Sequence, residues 1–169
     1  MTQVYAGIGS NLEPERNLRI AADELRRRFG NVRLSPVYRN PAVGFDGPDF
    51  FNLVAGFETD AEPAAIVAAF NEIHVLAGRT RGCDRFVSRA LDIDLLLYGN
   101  LVSDDPQLPR DDVLSYAFAL KPLCDIAPAV AHPQTGRSLC DHWQAMDEDD
   151  NALTLVDLDL DEKPTSVSA

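Results

Sequence analysis

Residues 91–98, Leu-Asp-Ile-Asp-Leu-Leu-Leu-Tyr, alternate with the period of a strand, yet two of the alternating positions are aspartates. Side chains at i and i+2 leave a strand on one face, so Asp92 and Asp94 project together, while Leu91, Ile93, Leu95 and Leu97 mark the other face. A sheet containing this strand therefore needs one packed face and one face able to receive charge. Two bare carboxylates side by side repel, and a cation is needed to keep both ionised. Mg²⁺ binds through one or two carboxylates and fills its remaining positions with water and phosphate oxygens. Arg79, Arg81, Arg85 and Arg89 precede the pair and supply the other half of a polyphosphate site. The plain alternative is an edge strand with two exposed aspartates beside a solvated loop. Asp is disfavoured in strands, and a repeat of it on one face of a Leu/Ile strand is the local conflict that functional sites produce.

The chain has 169 residues and 46% apolar content, enough for one domain with a proper core. Its net charge of −12 is uneven, because residues 141–169 hold nine acids and one lysine. The body is closer to neutral with a local basic patch, which favours a small anionic ligand over a nucleic acid. No apolar run is long enough to cross a bilayer and no signal-peptide pattern opens the chain, so the expectation is a cytoplasmic protein that binds no membrane. Cys83, Cys124 and Cys140 are odd in number and widely spaced, which reads as reduced thiols.

Residues 4–10 read as a buried strand ending in a Gly-Ser-Asn turn. A helix follows from Pro14 to Phe29, opened by proline and stopped by Gly30. Val32 to Tyr38 is a strand interrupted at Pro36, residues 40–49 form a loop, and Phe50 to Glu58 alternates as a strand. A second helix runs from Glu62-Pro63 to about Ala77, and the aspartate strand follows. This order predicts an α+β ferredoxin-like sandwich, an antiparallel sheet with helices packed on it. Beyond it the sequence predicts a loop over 104–109, a helix from Val113 to Leu123 and a short helix near Ser138–Ala145. One domain is expected over 1–145, with an acidic, disordered tail over 146–169. Leu153, Leu155, Leu158 and Leu160 leave open that part of this tail packs as a strand.

Gly7-Ile-Gly9 lacks the third glycine of a dinucleotide fingerprint and reads as a turn. Asn40-Pro41 and Phe50-Phe51-Asn52 combine amides and aromatics that suit a heterocycle, although Phe50 and Phe51 alone would read as core. Phe86 among the arginines has little reason to be there unless it packs or stacks. The three histidines form no metal triad, and neither a Walker A loop nor a nucleophile elbow is present.

Taken with Ile8–Leu12, Ser35–Pro41, Pro48–Asn52, Gly78–Arg81 and Phe118–Leu123, the Arg89-Ala-Leu-Asp-Ile-Asp94 run resembles the 6-hydroxymethyl-7,8-dihydropterin pyrophosphokinase family of folate biosynthesis. The matching segments run in the family's order from residue 4 to about 135. The resemblance implies a ferredoxin-like fold and pyrophosphate transfer from ATP to the pterin hydroxymethyl group, giving AMP. It implies that Asp92 and Asp94 hold two Mg²⁺ ions and that Arg79 and Arg89 act on the phosphates. Asn40, Pro41, Val43, Phe50, Asn52, Phe86 and Phe118 would form the pterin pocket. Asn71, His74, Arg81, Arg89, Ile93, Arg110 and Tyr116 would lie on the nucleotide side. A monomer is expected, with ATP and the pterin as its only partners.

The chain departs from the family pattern at several of these positions. Phe86-Val-Ser88 stands for Trp-Gly-Pro, Arg110 for a histidine, Tyr116 for an arginine and His74 for a glutamate. The alternative reading is therefore a divergent paralogue that binds a pterin-like heterocycle with weak or altered nucleotide use.

Overall fold

The computed structural model describes residues 1–42, 46–78, 91–146 and 153–160. Strand β1 (Thr2–Ser10) leads into α1 (Pro14–Phe29), whose bounds are those the sequence predicts. Pro14 occupies the first turn, and Gly30, at φ 84°, donates its N–H to Arg26 O at 2.9 Å. Next come β2 (Arg33–Leu34), β3 (Val37–Asn40), β4 (Phe50–Thr59), α2 (Pro63–Leu76) and β5 (Asp92–Tyr98). The main sheet has the order β5-β1-β4-β3-β8, where β8 (Thr154–Val156) is the last strand among the described residues; β2 also pairs β4, and every pair is antiparallel. This is the expected α+β ferredoxin-like arrangement. Pro36, which cannot donate to a ladder, separates β2 from β3.

Both faces of the sheet are covered. On one, α1 and α2 pack through Leu18, Ala21, Leu25, Ile66, Phe70 and Ile73 against Val4, Ala6, Ile8, Leu53, Ile93 and Leu95. On the other, Val54, Leu96 and Leu97 meet Val113, Leu120, Leu123 and Leu139. Strand β5 shows how the sequence divides them. Leu91, Ile93 and Leu95 lie in the first core, and the register against β1 then slips between Tyr5 and Ala6. That bulge leaves Leu96 as the extra residue, so Leu96 and Leu97 both reach the second core.

The C-terminal half corrects three expectations. The 104–109 loop contains a hairpin, β6 (Ser103–Asp104) with β7 (Gln107–Leu108), and Leu108 is buried in the first core. The single helix over 113–123 is instead two, α3 (Asp112–Ser115) and α4 (Ala117–Ile126), parted where Tyr116 turns extended at φ −129°, ψ 129°. Tyr116 O then accepts from Ala119 N and Leu120 N, which starts α4 afresh. Helix α5 (Leu139–Ala145) has Ser138 as its cap, accepting from Asp141 N.

The third correction concerns the tail. Residues 153–160 are not a disordered extension. Strand β8 (Thr154–Val156) pairs with β3, matching Val156 to Val37, and Leu160 is 7% exposed in the first core. Val156 and Leu158 pack against the same core, and Arg26 Nη1 donates to Leu160 O at 3.2 Å. Apolar side chains at alternate positions outweigh the acidic residues between them, which face outward. Residues 147–152 and 161–169 lie outside the described residues. Leu160→Ala should lower stability by about 2–3 kcal/mol in urea unfolding, as expected of a buried leucine. An unchanged midpoint would show that the segment adds nothing to the core.

Candidate active site

On the face of the sheet that carries the aspartates, the residues of β1 beside them are glycines. On β1, Gly7 stands opposite Asp94 and Gly9 opposite Asp92; on its other side Gly9 stands opposite Asn52 of β4. Asn52 in turn stands opposite Tyr38 of β3, and Phe50 opposite Asn40. A Cβ added at Gly9 would lie 2.7 Å from Asn52 Oδ1, so the Asn52 amide rests where any larger residue would push it aside. Asn52 Nδ2 donates to Asn40 Oδ1 at 2.5 Å, and Asn40 Nδ2 donates to the Pro41 carbonyl at 3.0 Å. Both amides are buried, at 8% and 7% exposure, and the bonds fix their planes.

Asp92 and Asp94 are half-buried on β5, on the same face as this amide pair. Arg110 approaches from the segment after β7. Its backbone N–H donates to Leu96 O at 3.0 Å, which lays the segment along the outer edge of β5. Its guanidinium then sits with Nη2 3.7 Å from Asp94 Oδ1 and Nε 3.2 Å from Asp112 Oδ2. Burial opposes the Arg110 charge, but Asp94, Asp112 and Asp92 outweigh it and raise its pKa. Among the described residues no group of three or more His, Cys, Asp or Glu side chains is placed to hold a metal. Two oxygen donors at the edge of solvent suit a hard ion that keeps water and takes phosphate oxygens, so the donor set fits Mg²⁺.

The wall opposite is built on α4. The Tyr38 hydroxyl donates to Asp125 Oδ2, and Lys121 Nζ reaches Asp125 Oδ1 at 2.8 Å. Lys121 also lies 5.6 Å from the centre of the Trp143 ring. At the start of α4 the Tyr116 and Phe118 rings stack with centroids 4.8 Å apart and planes 16° from parallel. Burial, then the hydrogen bond to Asp125 and its charge, push the Tyr38 phenol well above its ordinary range.

Of the residues the sequence singled out, Asp92, Asp94, Asn40, Asn52, Phe50 and Arg110 lie on or beside this face. Pro41 is exposed next to Asn40, and Asn71 is exposed on α2. Val43, Arg79, Arg81, Phe86 and Arg89 lie outside the described residues. Two others have buried side chains. The Ile93 side chain, 3% exposed, belongs to the first core, because it alternates away from the aspartates. His74 is 5% exposed, and its Nε2 accepts the Ile93 backbone N–H at 2.7 Å, so the ring serves the edge of β5 and not an open nucleotide surface. The sequence reasoning missed Gly9, Tyr38, Lys121 and Asp125. Only the i, i+4 spacing of Lys121 and Asp125 was there to read.

Residues 5–128 match the family model described as 7,8-dihydro-6-hydroxymethylpterin-pyrophosphokinase (HPPK). The chain is 37% identical over 143 residues to a Pseudomonas aeruginosa protein named 2-amino-4-hydroxy-6-hydroxymethyldihydropteridine pyrophosphokinase, covering 81% of this chain and 87% of that one. A Haemophilus influenzae protein of the same name is 32% identical over 141 residues, covering 80% and 88%. In three dimensions the chain is similar to the wild-type HPPK-DHPS of Plasmodium falciparum, with a TM-score of 0.68 at 11% identity. That match covers 85% of this chain and 44% of the longer Plasmodium chain, and at such identity it shows the fold.

Tyr38→Phe tests the wall. Losing a part-buried hydrogen bond to a charged acceptor should cost about 1.5 kcal/mol at neutral pH, the lower end for such bonds. Because the folded chain raises the Tyr38 pKa, its contribution is complete below the free phenol value of about 10 and is lost as pH rises beyond it. Melting curves of the parent should therefore fall more steeply above that pH than those of the variant. Parallel curves would show that Tyr38 is not the titrating group.

Proposed function

Since the chain belongs to the 7,8-dihydro-6-hydroxymethylpterin-pyrophosphokinase family, we propose that it transfers pyrophosphate from ATP to 6-hydroxymethyl-7,8-dihydropterin. The pterin hydroxyl oxygen would attack the β-phosphorus and release its proton, the bond to the α–β bridging oxygen would break, and AMP would leave. The observation that carries the reading is the row Asp92–Gly9–Asn52, one residue from each of three adjacent strands. Neighbouring strands stand about 4.8 Å apart, so the carboxylates and the amide are separated by about 10 Å, a span suited to phosphates at one end and a heterocycle at the other.

On this reading Asp92 and Asp94 hold Mg²⁺, two ions with ATP. Charge neutralisation at the phosphates is the chemistry that ions held by these two carboxylates would supply, and it is the chief requirement of phosphoryl transfer. Asn52, fixed by Asn40 and seated over Gly9, would read the edge of the pterin, and Phe118 would stack on its ring. The resemblance gives Val43, Phe50 and Phe86 to the same pocket. It gives Arg79, Arg81 and Arg89 to the phosphates, where Arg110 would add a permanent charge. We further propose that the chain works as a monomer in the cytoplasm, where its ATP is made available. No helix among the described residues is long and apolar enough to cross a membrane.

The test is AMP release measured with ATP, Mg²⁺ and the pterin, and with each omitted in turn. Release that does not depend on the pterin would sink the assignment. Asp92→Asn and Asp94→Asn should each lower kcat/KM by about a thousandfold, the loss expected when a metal can no longer neutralise phosphate charge. Because neither side chain packs the core, melting temperatures should hardly move. Gly9→Ala should displace the Asn52 amide and raise the KM for the pterin about tenfold, leaving Mg·ATP binding unchanged. The alternative of weak nucleotide use is favoured by Tyr116, which puts a ring where the family pattern has a cation. Separate titrations of ATP and pterin distinguish the two, since the alternative requires pterin binding without comparable ATP binding.

A further inference from the structure

The guanidinium of Arg110 touches two carboxylates of different kinds. Asp112 Oδ2 stands 3.2 Å from Nε, close to the root of the guanidinium and only two residues along the chain. Asp94 Oδ1 stands 3.7 Å from Nη2, at the tip, where an ion pair is near its outer limit. The backbone bond from Arg110 N to Leu96 O does not depend on the side chain. The near contact and the backbone anchor can thus persist while the tip lets go of Asp94. Asp94 shares its face with Asp92, so loss of positive charge there raises the repulsion between the two carboxylates, and a divalent ion relieves it.

We propose that Arg110 is a stand-in cation for the metal site: it neutralises Asp94 until a divalent ion takes that carboxylate, then turns about Asp112 toward the nucleotide phosphates. The second half rests on the pyrophosphokinase reading; the first rests only on the geometry of Arg110, Asp94 and Asp112. An arginine suits this role because it stays charged at every working pH and offers separate donors along a rigid fork. The arrangement opposes ion binding in the empty enzyme and favours it once phosphates are present to receive the guanidinium. Ion and nucleotide should therefore bind with positive coupling.

The two halves predict opposite signs for one substitution. Mn²⁺, which prefers the same octahedral oxygen environment, is titrated into the full chain without nucleotide and followed by its paramagnetic resonance. Arg110→Gln should bind Mn²⁺ about twofold to fivefold more tightly than the parent, the range set by an exposed ion pair. The gap should shrink between about 20 mM and about 0.5 M salt as the pair is screened. Arg110→Lys, which keeps a cation, should stay near the parent. Calorimetric titration of Mg·ATP should give the reverse order, with Arg110→Gln weaker by about tenfold, as for loss of a charge-assisted bond. Mn²⁺ binding that is unchanged or weaker in Arg110→Gln overturns the proposal. Tighter Mn²⁺ with unchanged ATP affinity overturns its second half. Failure of the pyrophosphokinase reading looks different: the parent releases no AMP, whatever its variants do with Mn²⁺.

Discussion

A one-residue slip of β5 against β1 would carry Asp92 and Asp94 into the apolar core and turn Leu91, Ile93 and Leu95 into the cleft. Burying an unpaired carboxylate costs several kcal/mol, and exposing three leucine-sized side chains forfeits more. The same alternation that builds the core therefore aims the carboxylates. Because β5 is the edge strand of the described sheet, its outer side also needs partners. His74 Nε2 accepts the Ile93 N–H, and the Arg110 N–H donates to the Leu96 carbonyl. One bond lies between the two aspartates in sequence, and the other lies just beyond them. The edge is held where the charge is greatest.

Charge needs room as well as aim. Glycines weaken a strand interior, since they bring entropy and no packing. Gly7 and Gly9 nevertheless sit on the central β1, which pairs along its length with β4 and along most of it with β5. Ladder bonds on both sides and the packed side chains of Val4, Ala6 and Ile8 offset that loss. What Gly9 provides is bare backbone between Asp92 and the Asn52 amide, while Gly7 makes room for the Leu96 side chain that lies against it. Packing from α4 fixes the far side through Tyr38 and Asp125, so the two halves of the cleft belong to one rigid sheet. Positioning of this kind is the main contribution a protein can make to phosphoryl transfer.

The elements with strong local signals were legible. Pro14 and Gly30 bound α1, Pro36 splits β2 from β3, and the Asp-Ile-Asp alternation is visible without a structure. The break at Tyr116 was not, because no glycine or proline stands there and Val113, Leu120 and Leu123 fit one helical stripe. Strand β8 was masked by the acidic residues around it, although three apolar side chains beyond Leu155 reach the core. In the site, Asp92, Asp94 and Asn52 announced themselves by residue type and spacing. Tyr38 and Asp125 are 87 residues apart, and nothing local couples them. Gly9 looked like a turn residue, and its closeness to Asn52 exists only across the β1–β4 register.

His74 shows why position in an aligned pattern is not position in a cleft. It follows Ile73 on the buried side of α2, where a carboxylate would add a third negative charge behind Asp92 and Asp94. A histidine can accept the Ile93 N–H only through an unprotonated Nε2, so it backs the strand without that charge. Arg110, in place of a histidine, adds a full positive charge on the open side. Tyr116, in place of an arginine, removes one from the start of α4, where its ring stacks on Phe118. Relative to the family pattern, two of these replacements make the surroundings of the carboxylates more positive and one makes the cleft less so. The balance is one positive charge gained, and it has moved from the aromatic wall to the edge of β5. A cation there stands beside Asp94, and the stacked rings at the start of α4 are left to make apolar contacts.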